Sequence, residues 1–156
     1  MLSYRHGFHA GNFADVLKHI TLTKVVDYLL KKPSPIMYID THSGAGSYRL
    51  DSEMANKTGE YTSGVMQLDF AQLPEAQSYA RLVSESLLDQ RYPGSPDLAA
   101  RLLRPVDKLR LFELHSTEYP HLKQHFADDA RCLVNHSDGH ASIKACLLYT
   151  SDAADE

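Results

Sequence analysis

Apolar positions along the chain predict a helix first and then short strands. Residues 12–31, NFADVLKHITLTKVVDYLLK, place Phe13, Val16, Leu17, Ile20, Val25, Tyr28 and Leu29 near helical spacing. Asn12 is a capping type, Lys31 and Lys32 suit the negative end of the helix dipole, and Pro33 and Pro35 end the run. Ile36 to Asp40 is apolar without alternation, as in a parallel strand covered on both faces. Lys108 to Glu113, KLRLFE, alternates charge and apolar character and predicts a second strand. Ala130 to Asn135, ARCLVN, predicts a third, followed by the turn HSDG. Pro96 to Arg104 and Tyr119 to Phe126 predict further helices, the first announced by PGSP at 93–96. Residues 47–92 are richer in Ser, Gln, Glu and Asp, and GEYTSGVMQL and PEAQSYARLVSESLLDQ predict short helices. This stretch is expected to be a mostly helical insertion. The order is helix, strand, insertion, helix, strand, helix, strand. That is half of a doubly wound α/β fold, cut after about three parallel strands.

Composition sets the class. The 156 residues are 43% hydrophobic, enough for one globular domain with a core. No apolar run approaches the roughly 20 residues of a membrane helix, so no membrane is expected as a partner. Cys132 and Cys146 make no disulfide framework, which points to a reducing cytoplasm. The net charge of -4 is altered by the C-terminus, CLLYTSDAADE. Those eleven residues, 146–156, carry Asp152, Asp155 and Glu156 and no base. Setting them aside leaves 16 basic residues against 17 of the 20 acidic ones, so net charge neither indicates nor excludes RNA binding. The same eleven residues match the translation of a transposase mosaic-end adapter. Residues 146–156 are therefore expected to be a non-native tail, and residues 1–145 the N-terminal part of a longer domain.

In a doubly wound sheet, ligands bind beyond the carboxyl ends of the strands. Three groups fall there: Asp40 to Gly46 (DTHSGAG), Glu113, and Asp138 with Gly139. Gly44 and Gly46 let backbone approach a ligand closely. A carboxylate at 113 can accept both hydroxyls of a ribose, and one at 138 an adenine amino group. Taken singly these are also an ordinary turn, a solvated Glu and a turn Asp. As an ordered set they point to an adenosine-containing cofactor. The loop is D-x-x-x-G-x-G, without the third glycine of a dinucleotide site, which fits S-adenosylmethionine (SAM) better than NAD.

MLSYRHGFHAGNFADVLKH at the N-terminus closely resembles the opening of the RlmJ family, bacterial 23S rRNA adenine-N6-methyltransferases. DTHSGAG, TGEY, YPGSP, ELH and SDG follow in the family's order, so the resemblance runs along essentially all of residues 1–145. It implies a Rossmann-like SAM-dependent methyltransferase fold with a helical insertion after the first strand. It further implies that His19, His42 and Ser95 contact SAM, that Glu113 holds the ribose, and that Asp138 and Gly139 hold the adenine. Tyr4 would touch the RNA, and Lys18 would face the site. Ser43 and Phe13 stand where the resemblance leads one to expect Ala and His. The family's catalytic D-P-P-Y motif occurs nowhere in the sequence. The expectation is thus a SAM half-site without the catalytic step.

Two other classes are open to the sequence. His121 and His125, four apart on one helix, could be metal ligands in a hydrolase, but HEXXH is absent and solvated histidines account for them. A non-catalytic RNA-binding module would need a basic stripe with interleaved aromatics. Only Tyr4, Arg5, His6, Phe8 and His9 form such a cluster, which suits a substrate-binding arm better than a whole domain. Arg81, Arg101 and Arg104 were further candidates for an RNA face, though surface charge is the simpler reading.

Overall fold

The computed structural model describes residues 4–152, with side chains to residue 148. Helix α1 (Phe13–Leu29) leads to β1 (Met37–Asp40). The insertion follows: β2 (Ser47–Arg49), α2 (Glu53–Thr58), α3 (Glu60–Ser63), three short 3-10 turns, α4 (Gln77–Leu88) and β3 (Arg91–Pro93). Then come α5 (Ser95–Leu102), β4 (Lys108–Phe112), α6 (Glu118–His125), β5 (Cys132–Asn135) and α7 (Gly139–Asp152). Strands β1, β4 and β5 form one parallel sheet in that order, with Met37 opposite Lys108 and Leu109 opposite Cys132. The architecture is the Rossmann-like α/β layer expected from the strand and helix order.

Local chemistry explains the boundaries. Asn12 caps α1 by accepting from the Asp15 N–H at 2.9 Å. Ser52 caps α2, and Gly59 ends it in the left-handed region at φ 63°. Pro96 sits in the first turn of α5, where its missing N–H costs nothing. Asp107 fastens the base of the sheet. Its carboxylate accepts from the Ile36 N–H at 2.8 Å, the Arg104 N–H at 2.7 Å and the Arg104 guanidinium at 2.9 Å and 3.0 Å.

Two apolar clusters make the core. Tyr38, Leu109, Leu111, Cys132 and Val134 of the sheet pack with Val26 of α1, Ala99 of α5, and Leu122 and Phe126 beside α6. Tyr48, Val65, Tyr79, Leu82, Val83, Tyr92 and Leu98 join the insertion to α5.

Two expectations need correction and two need extension. The predicted apolar stripe of α1 is not its buried face. Val16 is buried, but Phe13 is 72%, Leu17 60% and Tyr28 64% exposed, and Asp15, His19 and Thr23 are buried instead. Helix α1 is apolar on two sides, and it packs its polar-lined side, where those groups find partners, against α4 and α5. Strand β1 is half-buried along its length rather than covered on both faces. The pleat turns Ile39, Arg110 and Leu133, which are in register, away from the helices, and Leu133 is 51% exposed. The insertion is mostly helical, but its ends pair as an antiparallel ladder, Ser47 opposite Pro93 and Arg49 opposite Arg91. Finally, the turn HSDG opens α7. Residues 146–152 continue that helix, while residues 153–156 of the expected tail and Met1–Ser3 of the N-terminal motif lie outside the described residues.

Candidate functional site

Parallel strands β1, β4 and β5 end at Asp40, Phe112 and Asn135, on one side of the sheet. The loops that leave them, the start of α5, one side of α1 and the N-terminal arm enclose a cavity of about 480 Å³. Tyr4, Lys18, His19, His42, Ser95, Glu113, Asp138 and Gly139 all line it, so every site residue expected from the sequence lies in one place.

The glycine loop is held by carboxylates and kept thin by its glycines. Gly44 and Gly46 have φ of +62° and +86°, a region that disfavours side chains. A Cβ on Gly44 would also collide with the Tyr48 hydroxyl. Glu113 spans two loops: one oxygen accepts from the Gly44 N–H and the other from the His115 N–H, each at 2.7 Å. Ser43, where Ala was expected, is buried and ties the loop to β4. Its N–H donates to the Phe112 carbonyl at 2.9 Å and its hydroxyl accepts from the Phe112 N–H at 3.2 Å. Asp40 accepts from the Ser95 hydroxyl at 2.6 Å, the Tyr38 hydroxyl at 2.8 Å and the His42 N–H at 3.1 Å. Burial first, then the Asp40 charge, pushes the Tyr38 hydroxyl far above its ordinary value, so it stays protonated as a donor.

Asp138 does two things at once. Its Oδ1 accepts from the His140 and Ala141 N–H groups at 2.9 Å and 3.3 Å, which caps α7. The cap also holds Gly139 against Thr41, where a Cβ would come within 2.5 Å of backbone.

On the α1 side, His19 is buried and lines the cavity. Its Nδ1 shares a hydrogen bond of 3.0 Å with the Tyr92 hydroxyl, which in turn meets Tyr79 at 3.2 Å. Its Nε2 has no partner, the one buried side-chain polar atom among the described residues in that condition. Desolvation pushes His19 down to about 3, so the ring is neutral. Asp15, one turn earlier, is also buried. It meets His6 at 2.7 Å and Lys18 at 2.9 Å and accepts from the Gly11 N–H at 3.1 Å. Burial alone would raise its value, but the His6 and Lys18 contacts outweigh it and hold the carboxyl well below the usual range. The His6 Nδ1 meets the exposed Tyr4 hydroxyl at 2.8 Å, and the Tyr4 ring stacks on His9 with centroids 5.4 Å apart.

Sequence reasoning missed several lining groups. Tyr48, His115, Glu118 and His140 also line the cavity. None carries a local signal except His115, which adjoins Glu113 in ELH. Arg81, Arg101 and Arg104 are not at the site. They pair with Glu85, with Glu85 and Asp97, and with Asp107. His121 and His125 are exposed, and His125 meets Asp97 at 2.9 Å.

Residues 33–153 match the family model described as ribosomal RNA large subunit methyltransferase D, RlmJ. The chain is 46% identical over 152 residues to ribosomal RNA large subunit methyltransferase J of Escherichia coli, covering 94% of this chain and 54% of that protein. It is 44% identical over 153 residues to the protein of the same name from Haemophilus influenzae, with the same coverage. A crystal structure of a Legionella pneumophila protein matches with a TM-score of 0.80 at 41% identity, over 89% of this chain and 53% of that one. The chain thus spans about half the length of the relatives it matches. By its sequence and its fold, this chain belongs to the ribosomal RNA large subunit methyltransferase J family.

Proposed function

We propose that residues 1–145 are the cofactor-binding part of a SAM-dependent methyltransferase that modifies an adenine N6 in 23S rRNA. One observation carries this reading: the eight expected site residues line one cavity at the strand ends, beside a buried His19 Nε2 that has no partner. The cavity fits the cofactor's chemistry. Gly44 and Gly139 line it without side chains, and the carboxylates of Glu113 and Asp138 stand beyond the ends of β4 and β5. Bound SAM would supply the electrophilic methyl group. Glu113, oriented by two backbone N–H groups, keeps lone pairs on both oxygens for the ribose hydroxyls. Asp138 accepts from the adenine amino group, with the neighbouring Gly139 backbone close to the ring. Ser95, His42 and His19 complete the cofactor contacts. Tyr4, on the exposed arm, meets the RNA base, which is presented unpaired or flipped.

The sequence contains no D-P-P-Y, so the 156-residue chain supplies much of the SAM half-site and not the transfer step. Residues 146–156 are proposed to be non-native, and the native gene to continue past the codon for Ala145. The reaction fits the cytoplasm, where ribosomal RNA is made. Among the described residues no helix is long and apolar enough to cross a membrane.

Titration calorimetry of the chain with SAM tests the reading. Saturable binding that weakens in Glu113→Ala is expected. Absence of binding would leave an RNA-binding module as the surviving alternative, and metal retained after dialysis would favour a hydrolase. Methyl incorporation into 23S rRNA by the purified chain would refute its inactivity.

A further inference from the structure

A second cleft, of about 400 Å³, adjoins the first, and Tyr48 and Glu118 line both. Its other wall carries Arg5, Arg49, Arg91, His121 and His125. It gathers basic side chains in a chain whose net charge is -4. Three guanidiniums face one lining carboxylate, Glu118. Two further acids touch the group from outside the lining: Asp51 pairs with Arg49 at 2.5 Å and Asp97 meets His125 at 2.9 Å.

The pairing is incomplete, which leaves donors for a ligand. Arg5 engages Glu118 through Nε at 2.9 Å. Arg91 donates Nε to the Ser47 hydroxyl at 3.0 Å and, among the described residues, hydrogen-bonds to no carboxylate, although its charge acts on Asp51. Its terminal nitrogens are therefore uncommitted. His121 is exposed and makes no side-chain hydrogen bond or ion pair among the described residues. By contrast, Arg81, Arg101, Arg104 and Arg131 are each held on carboxylates elsewhere. Arg91, with both terminal nitrogens spare, thus stands where the insertion ladder meets the N-terminal arm. Guanidinium forks suit phosphate oxygens, and phosphate contacts position a nucleic acid without reading its sequence.

We propose that this cleft is a phosphodiester site. It seats the RNA backbone flanking the nucleotide presented to the first cavity, with Arg91 as the principal phosphate contact and Arg49, held by Asp51 through Nε and one terminal nitrogen, as a secondary one. The proposal rests on the RNA-methyltransferase reading for the identity of its ligand. Tyr48 and Glu118 then form the partition between backbone and base.

The test is the salt dependence of binding by the 156-residue chain to two short single-stranded RNAs of unrelated sequence. It compares wild type, Arg91→Ala, Arg49→Ala and, as a control on the exposed side of α1, Lys24→Ala. Arg49 is exposed, so its truncation spares the core even if Arg91→Ala perturbs the ladder. Each cleft variant is expected to weaken both RNAs by the same factor and to flatten the slope of log K against log salt by about 0.7. Lys24→Ala should leave the slope unchanged, and SAM affinity should be unchanged throughout. Unchanged slopes in both cleft variants overturn the proposal, as does failure of the wild-type chain to bind RNA. Equal competition by oligoglutamate overturns it too, because the cleft would then be a general acceptor of acidic chains. Slopes that flatten in a chain that fails to bind SAM would retain the phosphodiester site and refute the methyltransferase reading alone.

Discussion

Glu113→Gln separates the carboxylate from its shape. In the wild type each oxygen accepts a backbone N–H at 2.7 Å, one from Gly44 and one from His115. An amide has one oxygen and one NH2. Whichever way it flips, one of those N–H groups faces a donor. A hydrogen bond to a charged acceptor contributes about 1.5–3 kcal/mol, and an orphaned donor costs a similar amount. Part of that loss falls on the glycine loop, which Ser43 still anchors to β4. The rest falls on the ligand, since the amide can accept only one ribose hydroxyl. We expect SAM affinity to drop about 10- to 100-fold, or about 1.4–2.7 kcal/mol. Calorimetry at neutral pH measures it, with circular dichroism confirming an equal folded fraction. Glu113→Ala should be at least as severe. A dissociation constant within threefold of wild type in both variants would show that Glu113 serves the loop and not the ligand.

Three further outcomes follow from the geometry. Asp107 is lowered from 3.8 to about 2, first by the Arg104 hydrogen bonds, so its stabilisation is present above its unfolded value and is lost as pH falls through its folded one. With Arg104 partly solvated, Asp107→Asn should cost about 1–2 kcal/mol at neutral pH in urea denaturation, a gap that closes near pH 2; a pH-independent gap contradicts the ion pair. Gly139→Ala places a Cβ within 2.5 Å of Thr41 backbone, and the overpacking should cost about 1–3 kcal/mol and weaken SAM binding, whereas an unchanged Tm would contradict that close approach. Tyr92→Phe strands both His19 and Tyr79 and should cost about 1–3 kcal/mol; a loss below roughly 0.5 kcal/mol would mean that the hydroxyl chain contributes little.

What could be read from the sequence was what local pattern and motif encode. The three parallel strands were visible, β1 as an apolar run and β4 as an alternating one, and Asn12, Pro96 and the lysines after Leu30 marked helix ends. The ladder β2–β3 was not, because SYR and RYP are three residues each and pair only through a contact 46 positions apart. Helix α7 was missed because Asp138 was read as a turn and a ligand when it is also the cap. The buried side of α1 was misread because Asp15, His19 and Thr23 are polar. Only the partners supplied by His6, Lys18, Tyr92 and the Ile20 carbonyl make that side burial-competent. The site residues were legible through the family motifs. Tyr48 and Glu118 were not, since they reach the cavity by packing alone.

The ladder that closes the insertion has a consequence for how such a protein can change. The chain leaves the glycine loop at Ser47 and returns opposite it at Pro93, with the Gly94 N–H donating to the Gly46 carbonyl at 2.8 Å. The excursion is clipped at its neck and docked at a second place, where the Val65 N–H donates to the Gly11 carbonyl at 2.9 Å and Glu60 meets His9 and Asn12, each at 2.9 Å. Each doubling of its length adds only about 0.6 kcal/mol of closure entropy, provided the clip and the Tyr79–Tyr92 contact remain. Length can therefore change most cheaply at the exposed turn around Ala71 and Gln72, while Glu60, Gly64 and Val65 stay fixed against the N-terminal arm and the strand-end chemistry stays in register.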